Sequence, residues 1–155
     1  MTKQPFITRR QVVWVSAGLA ASTLVRRPAL AQTDGLRQAV SAFATGKKVT
    51  EGRVKLEIAE LVDNGNVVPM TVVVDSPMTA TNHVTTIAVF NEKNPQRDVI
   101  KFTLGPRYGK ASVSTRIRLA TTQKLVAVAQ LSDGTFWSHT VDVIVTLAAC
   151  IEGDT

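Results

Sequence analysis

From Gly52 onward, apolar and polar residues alternate along the chain, and clusters of turn-forming residues interrupt the alternation before any stretch grows long enough for a crossover helix. Successive side chains of an extended strand point to opposite faces, so alternation of this kind marks strands with one face buried. Val54, Leu56 and Ile58 fall on one face, with Arg53, Lys55 and Glu57 on the other. Asp63-Asn64-Gly65-Asn66 then reads as a turn built from residues that tolerate positive φ, and a strand follows over 67–75. Pro69 removes a ladder donor from that strand, which predicts an edge or a bulge. Further strands are expected over 84–90, 98–104, 113–119, 124–131 and 135–147, punctuated by Asn91-Glu92-Lys93-Asn94-Pro95, Gly105-Pro106 and Ser132-Asp133-Gly134.

Parallel neighbours need a connection of a dozen or more residues, and no helical segment is available to supply one between these strands. The expected fold is therefore all-β, an immunoglobulin-like antiparallel β-sandwich of about seven strands with Greek-key links. One helix precedes it. Leu36, Ala39, Val40 and Phe43 recur at helical spacing, with Thr33 or Asp34 as N-cap candidate and Gly46 as the stop, which places a short helix over 34–45. A helix of that length is marginal alone in water and must pack on the sandwich or on a partner. No internal repeat or linker divides the strands, and 155 residues suit one domain rather than two.

The formal charge of +6 points at first to nucleic acid, but its distribution removes that reading. Residues 1–31 hold Lys3, Arg9, Arg10, Arg26 and Arg27 with no acidic residue, whereas 32–155 carry 13 basic against 12 acidic side chains. The N-terminal segment has the layout of an export signal: a basic start, an apolar run over 12–25 and a small-residue site at Ala29-Leu30-Ala31. Cleavage is expected after Ala31, leaving 32–155 as the mature chain. The run falls short of the roughly 20 apolar residues a membrane span requires, so no membrane attachment is expected after cleavage. Arg9 and Arg10, followed by apolar residues, fit the twin-arginine pattern of a route that exports folded proteins to the periplasm.

Residues able to do chemistry are few. His83 and His139 lack the spacing of metal ligands, and no phosphate-binding glycine loop or nucleophile elbow occurs. Arg116 and Arg118 share a strand face and could meet an anion, although a solvated face is the preferred reading. The single cysteine, Cys150, lies just beyond the last expected strand, in a tail expected to be mobile. An odd cysteine in an exported protein signals a reactive thiol or an intermolecular bond. No Lys, Arg or His in the tail would lower its pKa, and Glu152 and Asp154 disfavour the thiolate, so such a thiol suits an attachment point activated by other proteins.

The stretches Asp63-Asn64-Gly65-Asn66-Val67-Val68-Pro69, Val74-Asp75-Ser76-Pro77-Met78-Thr79, Ser114-Thr115-Arg116-Ile117-Arg118-Leu119-Ala120 and Ser132-Asp133-Gly134, with the C-terminal Cys150, resemble the SoxY family. The resemblance extends over the mature chain and includes the twin-arginine signal. It implies an immunoglobulin-like sulfur carrier of periplasmic thiosulfate oxidation, paired with a SoxZ-like subunit that crosses the membrane with it. In that family a SoxXA cytochrome joins thiosulfate to the C-terminal cysteine, SoxB releases the terminal sulfone as sulfate, and a sulfane dehydrogenase oxidises the remaining sulfur. By position, Cys150 is the attachment residue; the resemblance implies no other cofactor, no metal and no catalytic residue of the chain's own.

The tail departs from the family's Gly-Gly-Cys-Gly-Gly ending. Here residues 148–155 read Ala-Ala-Cys-Ile-Glu-Gly-Asp-Thr, which stiffens the backbone before the thiol, adds a β-branched neighbour and places two carboxylates beside any anionic adduct. These changes argue against entry into channels shaped for the family's own tail. Two readings of a different kind therefore stand beside the carrier: an exported interaction module, or a divergent SoxY paralogue, whose Cys150 only forms intermolecular disulfides. An independent thiol oxidoreductase would need a second cysteine, and the chain has one.

Overall fold

Alternation sorts the strand residues into two buried layers. The computed structural model describes residues 28–149, with side chains from Asp34 onward. The basic and apolar parts of the export signal, with Arg9 and Arg10, and Cys150 in the tail lie outside the described residues; the expected cleavage site at Ala31 falls on the backbone of the first helix. That helix, α1, spans Pro28–Phe43, and nine strands follow: β1 Val49–Glu51, β2 Val54–Ile58, β3 Leu61–Val62, β4 Val68–Val74, β5 Val84–Asn91, β6 Asp98–Thr103, β7 Ser112–Ile117, β8 Gln123–Leu131 and β9 Phe136–Val145. Six strands form one sheet in the order β1-β9-β8-β5-β6, with β3 also on β9, and three form the other in the order β2-β4-β7. Leu56, Val72 and Ile117 of the smaller sheet meet Ile87, Val89, Leu125, Ala127 and Val143 of the larger in one core. The all-β sandwich is thus present, and the seven expected strands are all found.

Two short strands are additional, and both pair in parallel with β9: Val49↔Phe136 through Glu51↔Ser138, and Leu61↔Ile144 with Val62↔Val145. Strands of three and two residues are too short to display a period. Their parallel pairing needs no crossover helix, because most of the sandwich lies between the partners in sequence.

Pro69 does not lie on an edge strand, contrary to expectation, since β4 is central in its sheet. The β2 ladder ends at Ile58↔Met70, so at Pro69 the strand has a ladder partner on one side only, Arg116 of β7. A missing donor is tolerated at such an end.

The alternate residues of the larger sheet face outward and are capped by α1. Leu36 and Phe43 pack on Ala88, Phe90, Val126, Val128 and Phe136, and the Phe43 ring lies 5.6 Å from Phe90 and 5.8 Å from Phe136 in tilted and edge-on contacts. Such ring pairs contribute roughly 0.5–1.5 kcal/mol each beyond area burial. The helix starts six residues ahead of the expected 34–45 segment, so neither Thr33 nor Asp34 is its N-cap. Ala29-Leu30-Ala31-Gln32 are strong helix formers, and Pro28 suits a first turn because it has no N–H to leave unbonded. Asp34 instead accepts a 2.6 Å bond from Arg37 one turn on. The stop at Gly46 holds: its N–H bonds the Ser41 carbonyl at 2.9 Å and that of Thr45 bonds Ala42 at 3.1 Å, with both residues at positive φ.

Candidate functional site: the root of the C-terminal tail

The last strand ends two residues earlier than its sequence pattern suggests, at Val145, and the chain then bends into the loops at that end of the sandwich. Thr146 donates its N–H to the Val62 carbonyl at 3.0 Å and its hydroxyl to the Asp63 carbonyl at 3.1 Å. The Leu147 carbonyl accepts from Gly65 N–H at 2.8 Å, the Gly65 carbonyl from Leu119 N–H at 2.8 Å, and the Leu119 carbonyl from Ala149 N–H at 3.1 Å. Three segments distant in sequence are thereby laced together at the residue before Cys150. Ala149 itself is only 7% exposed. The tail expected to be mobile from the end of the strand is therefore bonded to the body as far as Ala149.

Gly65 is necessary for a reason the sequence does not display. Its φ is not positive, as the turn reading supposed; the positive values belong to Thr45, Gly46, Gly52, Arg53, Met78 and Gly134. A Cβ at Gly65 would instead stand 2.3 Å from the Leu119 carbonyl oxygen and 3.0 Å from the Ala149 nitrogen. Only a residue without a side chain lets the three backbones approach this closely.

The Leu119 segment is braced in turn by Asn94. Its side-chain amide donates to the Arg118 carbonyl at 2.9 Å, and its side-chain oxygen accepts from Ala120 N–H at 3.0 Å and from Gln123 Nε2 at 2.7 Å. Gln123 Oε1 accepts from Lys93 N–H at 2.8 Å, and Asn91 Oδ1 accepts from Asn94 N–H at 3.0 Å. Gln123 and Asn91 are buried, so these amides stand in place of the solvent they have lost. Asn91 to Pro95, which the sequence marks only as a turn, is thus the support of the tail root. Side-chain amides in a turn cluster are the one signal that could have pointed to it, and they are common in turns of every kind.

Of the remaining sequence candidates, Arg116 and Arg118 border this root beside Asn91 and Asn94, and the two histidines do not. His83 precedes β5 at the opposite end of the sandwich, where its ring Nδ1 lies 3.1 Å from the Thr79 carbonyl. His139 sits in β9 and accepts the Leu56 N–H at Nδ1, 3.1 Å away, joining the edges of the two sheets. That bond requires an unprotonated Nδ1. Arg116 and Arg118 project into solvent from the end of β7. A groove of about 760 Å³ crosses the outer face of the smaller sheet between Glu57, Pro69, Thr71, Ser114 and Arg116. The Thr71 and Ser114 hydroxyls in it are bonded to one another at 2.8 Å. Among the described residues no three His, Cys, Asp or Glu side chains gather into a group that could hold a metal ion, and no helix is long and apolar enough to cross a membrane.

Fold and site together describe a β-sandwich that fixes its chain, as far as Ala149, to one end of the core, one residue before the single cysteine in sequence. Residues 40–150 match the family model of the sulfur oxidation protein SoxY, and the chain belongs to that family. Among solved structures it is similar to the sulfur carrier protein SoxY from Chlorobium limicola f. thiosulfatophilum, at 31% identity over 74% of this chain and 99% of that one, with a TM-score of 0.62. The fold alone is shared with a superoxide reductase (neelaredoxin) from Ignicoccus hospitalis, 19% identical over 61% of this chain and 80% of that one at a TM-score of 0.54. A putative superoxide reductase from Thermotoga maritima is 20% identical over 66% and 89% of the two chains, with a TM-score of 0.52. No curated protein matches the sequence.

Proposed function

We propose that this chain is a periplasmic, non-catalytic sulfur carrier of thiosulfate oxidation that holds sulfur intermediates covalently on Cys150. The supporting observation is membership of the SoxY family over a span that ends at Cys150 itself. Loading forms a sulfur–sulfur bond between the cysteine thiolate and the outer sulfur of thiosulfate, giving a cysteine S-thiosulfonate. Two electrons leave in that step and pass to the SoxXA-type cytochrome that performs it. Water, acting in a SoxB-type hydrolase, then removes the sulfone as sulfate with release of two protons, leaving a persulfide anion on Cys150 for a sulfane dehydrogenase. The carrier contributes the thiol, and the enzymes contribute the redox and hydrolytic machinery.

Export by the twin-arginine route through Arg9 and Arg10, cleavage after Ala31 and pairing with a SoxZ-like subunit belong to the same reading. No cofactor is required beyond the covalent adduct. The test is incubation of wild type and Cys150→Ser with thiosulfate and a purified SoxXA-type cytochrome, followed by intact-mass measurement. Wild type should gain one thiosulfonate that reductant removes, and the variant should gain none while keeping its melting temperature and its SoxZ-like partner. An adduct on the variant would overturn the assignment.

A further inference from the structure

The edge of a sheet exposes unpaired N–H and C=O groups, and folded proteins either shield such edges or use them. The other edges among the described residues are shielded. β1 and β3 are only three and two residues long. β6 carries Asp98 and Lys101 and bulges at Val99, since Ile100 pairs with Val89 and Asp98 with Phe90. On β2 the Leu56 N–H is already bonded to His139 of the other sheet at 3.1 Å. β7 is different. Its six residues, Ser112–Ile117, run in unbroken register with β4, without glycine, proline or bulge, and no strand lies on its other side among the described residues.

The backbone groups that face this open side follow from the ladder. The Val74 N–H bonds the Ala111 carbonyl at 2.8 Å, one step before the pairs that run from Val73↔Ser112 to Val68↔Ile117. Bonded and non-bonded pairs alternate in an antiparallel ladder. Val113, Thr115 and Ile117 therefore bond β4, while Ser112, Ser114 and Arg116 turn their backbone groups outward. The 2.8 Å contact between the Thr71 and Ser114 hydroxyls agrees, because side chains come closest in non-bonded pairs. The Ser112 N–H is taken by the Lys110 carbonyl at 3.0 Å, which leaves the N–H and C=O of Ser114 and Arg116 as the free groups at the centre of the edge.

The same strand is flanked by charge of one sign. Between Asp98 and Asp133 the chain has six basic residues and no acidic one. Arg116 lies in β7, with Lys110 and Arg118 just beyond its two ends, and all three are exposed. The carboxylates that approach belong to other strands: Glu57 is bonded to Lys55 at 2.8 Å, and Asp98 borders a hollow of about 410 Å³ with Arg116 and Arg118. Two β7 strands paired antiparallel about Ser114 would set Lys110 of each against Arg118 of the other, an opposition of like charges that disfavours a second copy. An acidic strand relieves that conflict.

We propose that the free edge of β7 is a strand-addition site for an extended acidic segment of a partner protein. The backbones of Ser114 and Arg116 supply the ladder bonds, and Lys110, Arg116 and Arg118 select the charge. The site is separate from the tail and does not rest on the carrier reading.

The test uses the mature chain and a fluorescein-capped Thr-Val-Glu-Val-Glu-Val-Thr amide, with the peptide carrying Lys in place of Glu as control. Fluorescence anisotropy reads binding, and hydrogen exchange followed by NMR reports each β7 amide. The Glu peptide should bind, and the Lys peptide should bind about tenfold more weakly. Exchange should slow at Ser114 and Arg116 and stay unchanged at Val113 and Thr115, which are bonded to β4 already. Ser114→Pro removes an outward donor at an edge, where proline is tolerated, and should weaken binding about tenfold. Ser114→Ala loses the same hydroxyl and should bind as wild type does. Arg116→Glu, which leaves the backbone untouched, should weaken binding about fivefold and decides the matter if Ser114→Pro does not fold. No binding of the Glu peptide at millimolar concentration, equal binding by folded Ser114→Pro and by Arg116→Glu, or a preference for the Lys peptide would overturn the site. A wild-type dimer in sedimentation that Ser114→Pro dissociates would also overturn it, by assigning the edge to a second copy.

Discussion

The two ends of the sandwich are built differently. At the far end each turn is closed largely from within: Asp133 Oδ1 accepts from the N–H and hydroxyl of Thr135 at 2.8 and 2.7 Å, Thr79 Oγ1 accepts from Asn82 N–H at 3.0 Å, and Tyr108 N–H reaches only to Gly105. Bonds to a second segment occur there too, from Ser132 to His83, from Lys47 to Gly134 and from Leu104 to Thr85, but they join strand ends rather than one turn to the next. At the tail-root end the loops are bonded chiefly to one another: Gly65 to Leu119 and Leu147, Asn94 to Arg118, Ala120 and Gln123, and Ala149 to Leu119. Turns closed from within need only connect strands. Loops bonded across the end form a platform, and Ala149, the residue before the cysteine, is bonded to it.

The sharpest break of this contrast is a methyl group. Gly65→Ala places a carbon 2.3 Å from the Leu119 oxygen, and Gly105→Ala at the far end meets nothing within 4 Å. Forcing the platform apart should cost about 3 kcal/mol in urea denaturation, whereas Gly105→Ala should stay within about 0.5 kcal/mol of wild type. Equal stabilities for the two variants would show that the close approach is relieved at little cost. Next in size, Asn94→Ala strands the Ala120 N–H and the Gln123 amide, an expected loss of about 2 kcal/mol. It should also speed hydrogen exchange at Ala149 N–H, two bonded steps away, which a purely local loop effect would leave unchanged.

The smallest effect concerns acid. The Thr135 hydroxyl, and then its N–H, bonded to Asp133 hold that carboxyl below its ordinary range. A folded-state pKa below the unfolded one stabilises the protein above the unfolded value and ceases to do so as pH falls through the folded one. Asp133→Asn should therefore be slightly less stable than wild type at neutral pH and indistinguishable in strong acid. Exchange at Ala149 should be the same in both at neutral pH, because the turn lies at the other end.

Legibility in the sequence follows the same division. Strands β4 to β9 carry enough residues for alternation to register, and Gly46 and Gly134 mark left-handed backbone where their neighbours lead one to expect it. Thr33 and Asp34 misplaced the helix start because a good cap residue inside a run of strong helix formers is simply passed over. The platform was illegible for a deeper reason. Gly65 reads as a turn glycine, Leu119 as one more strand residue and Asn94 as loop polarity, and their common role exists only once Gly65 is bonded to Leu119 and Leu147, 54 and 82 residues away in sequence. Cys150 stood out by its singularity and by the family's ending, and both are properties of sequence alone.

The central claim is that this platform presents Cys150 as the covalent seat of a sulfur intermediate. Its most direct test is intact-mass spectrometry of the mature protein taken from the periplasm of cells oxidising thiosulfate, with and without reductant, followed by peptide mapping of residues 148–155. A reducible sulfur or thiosulfonate mass on Cys150 is the predicted result. A bare thiol, or a plain disulfide-linked dimer of the chain, would contradict it.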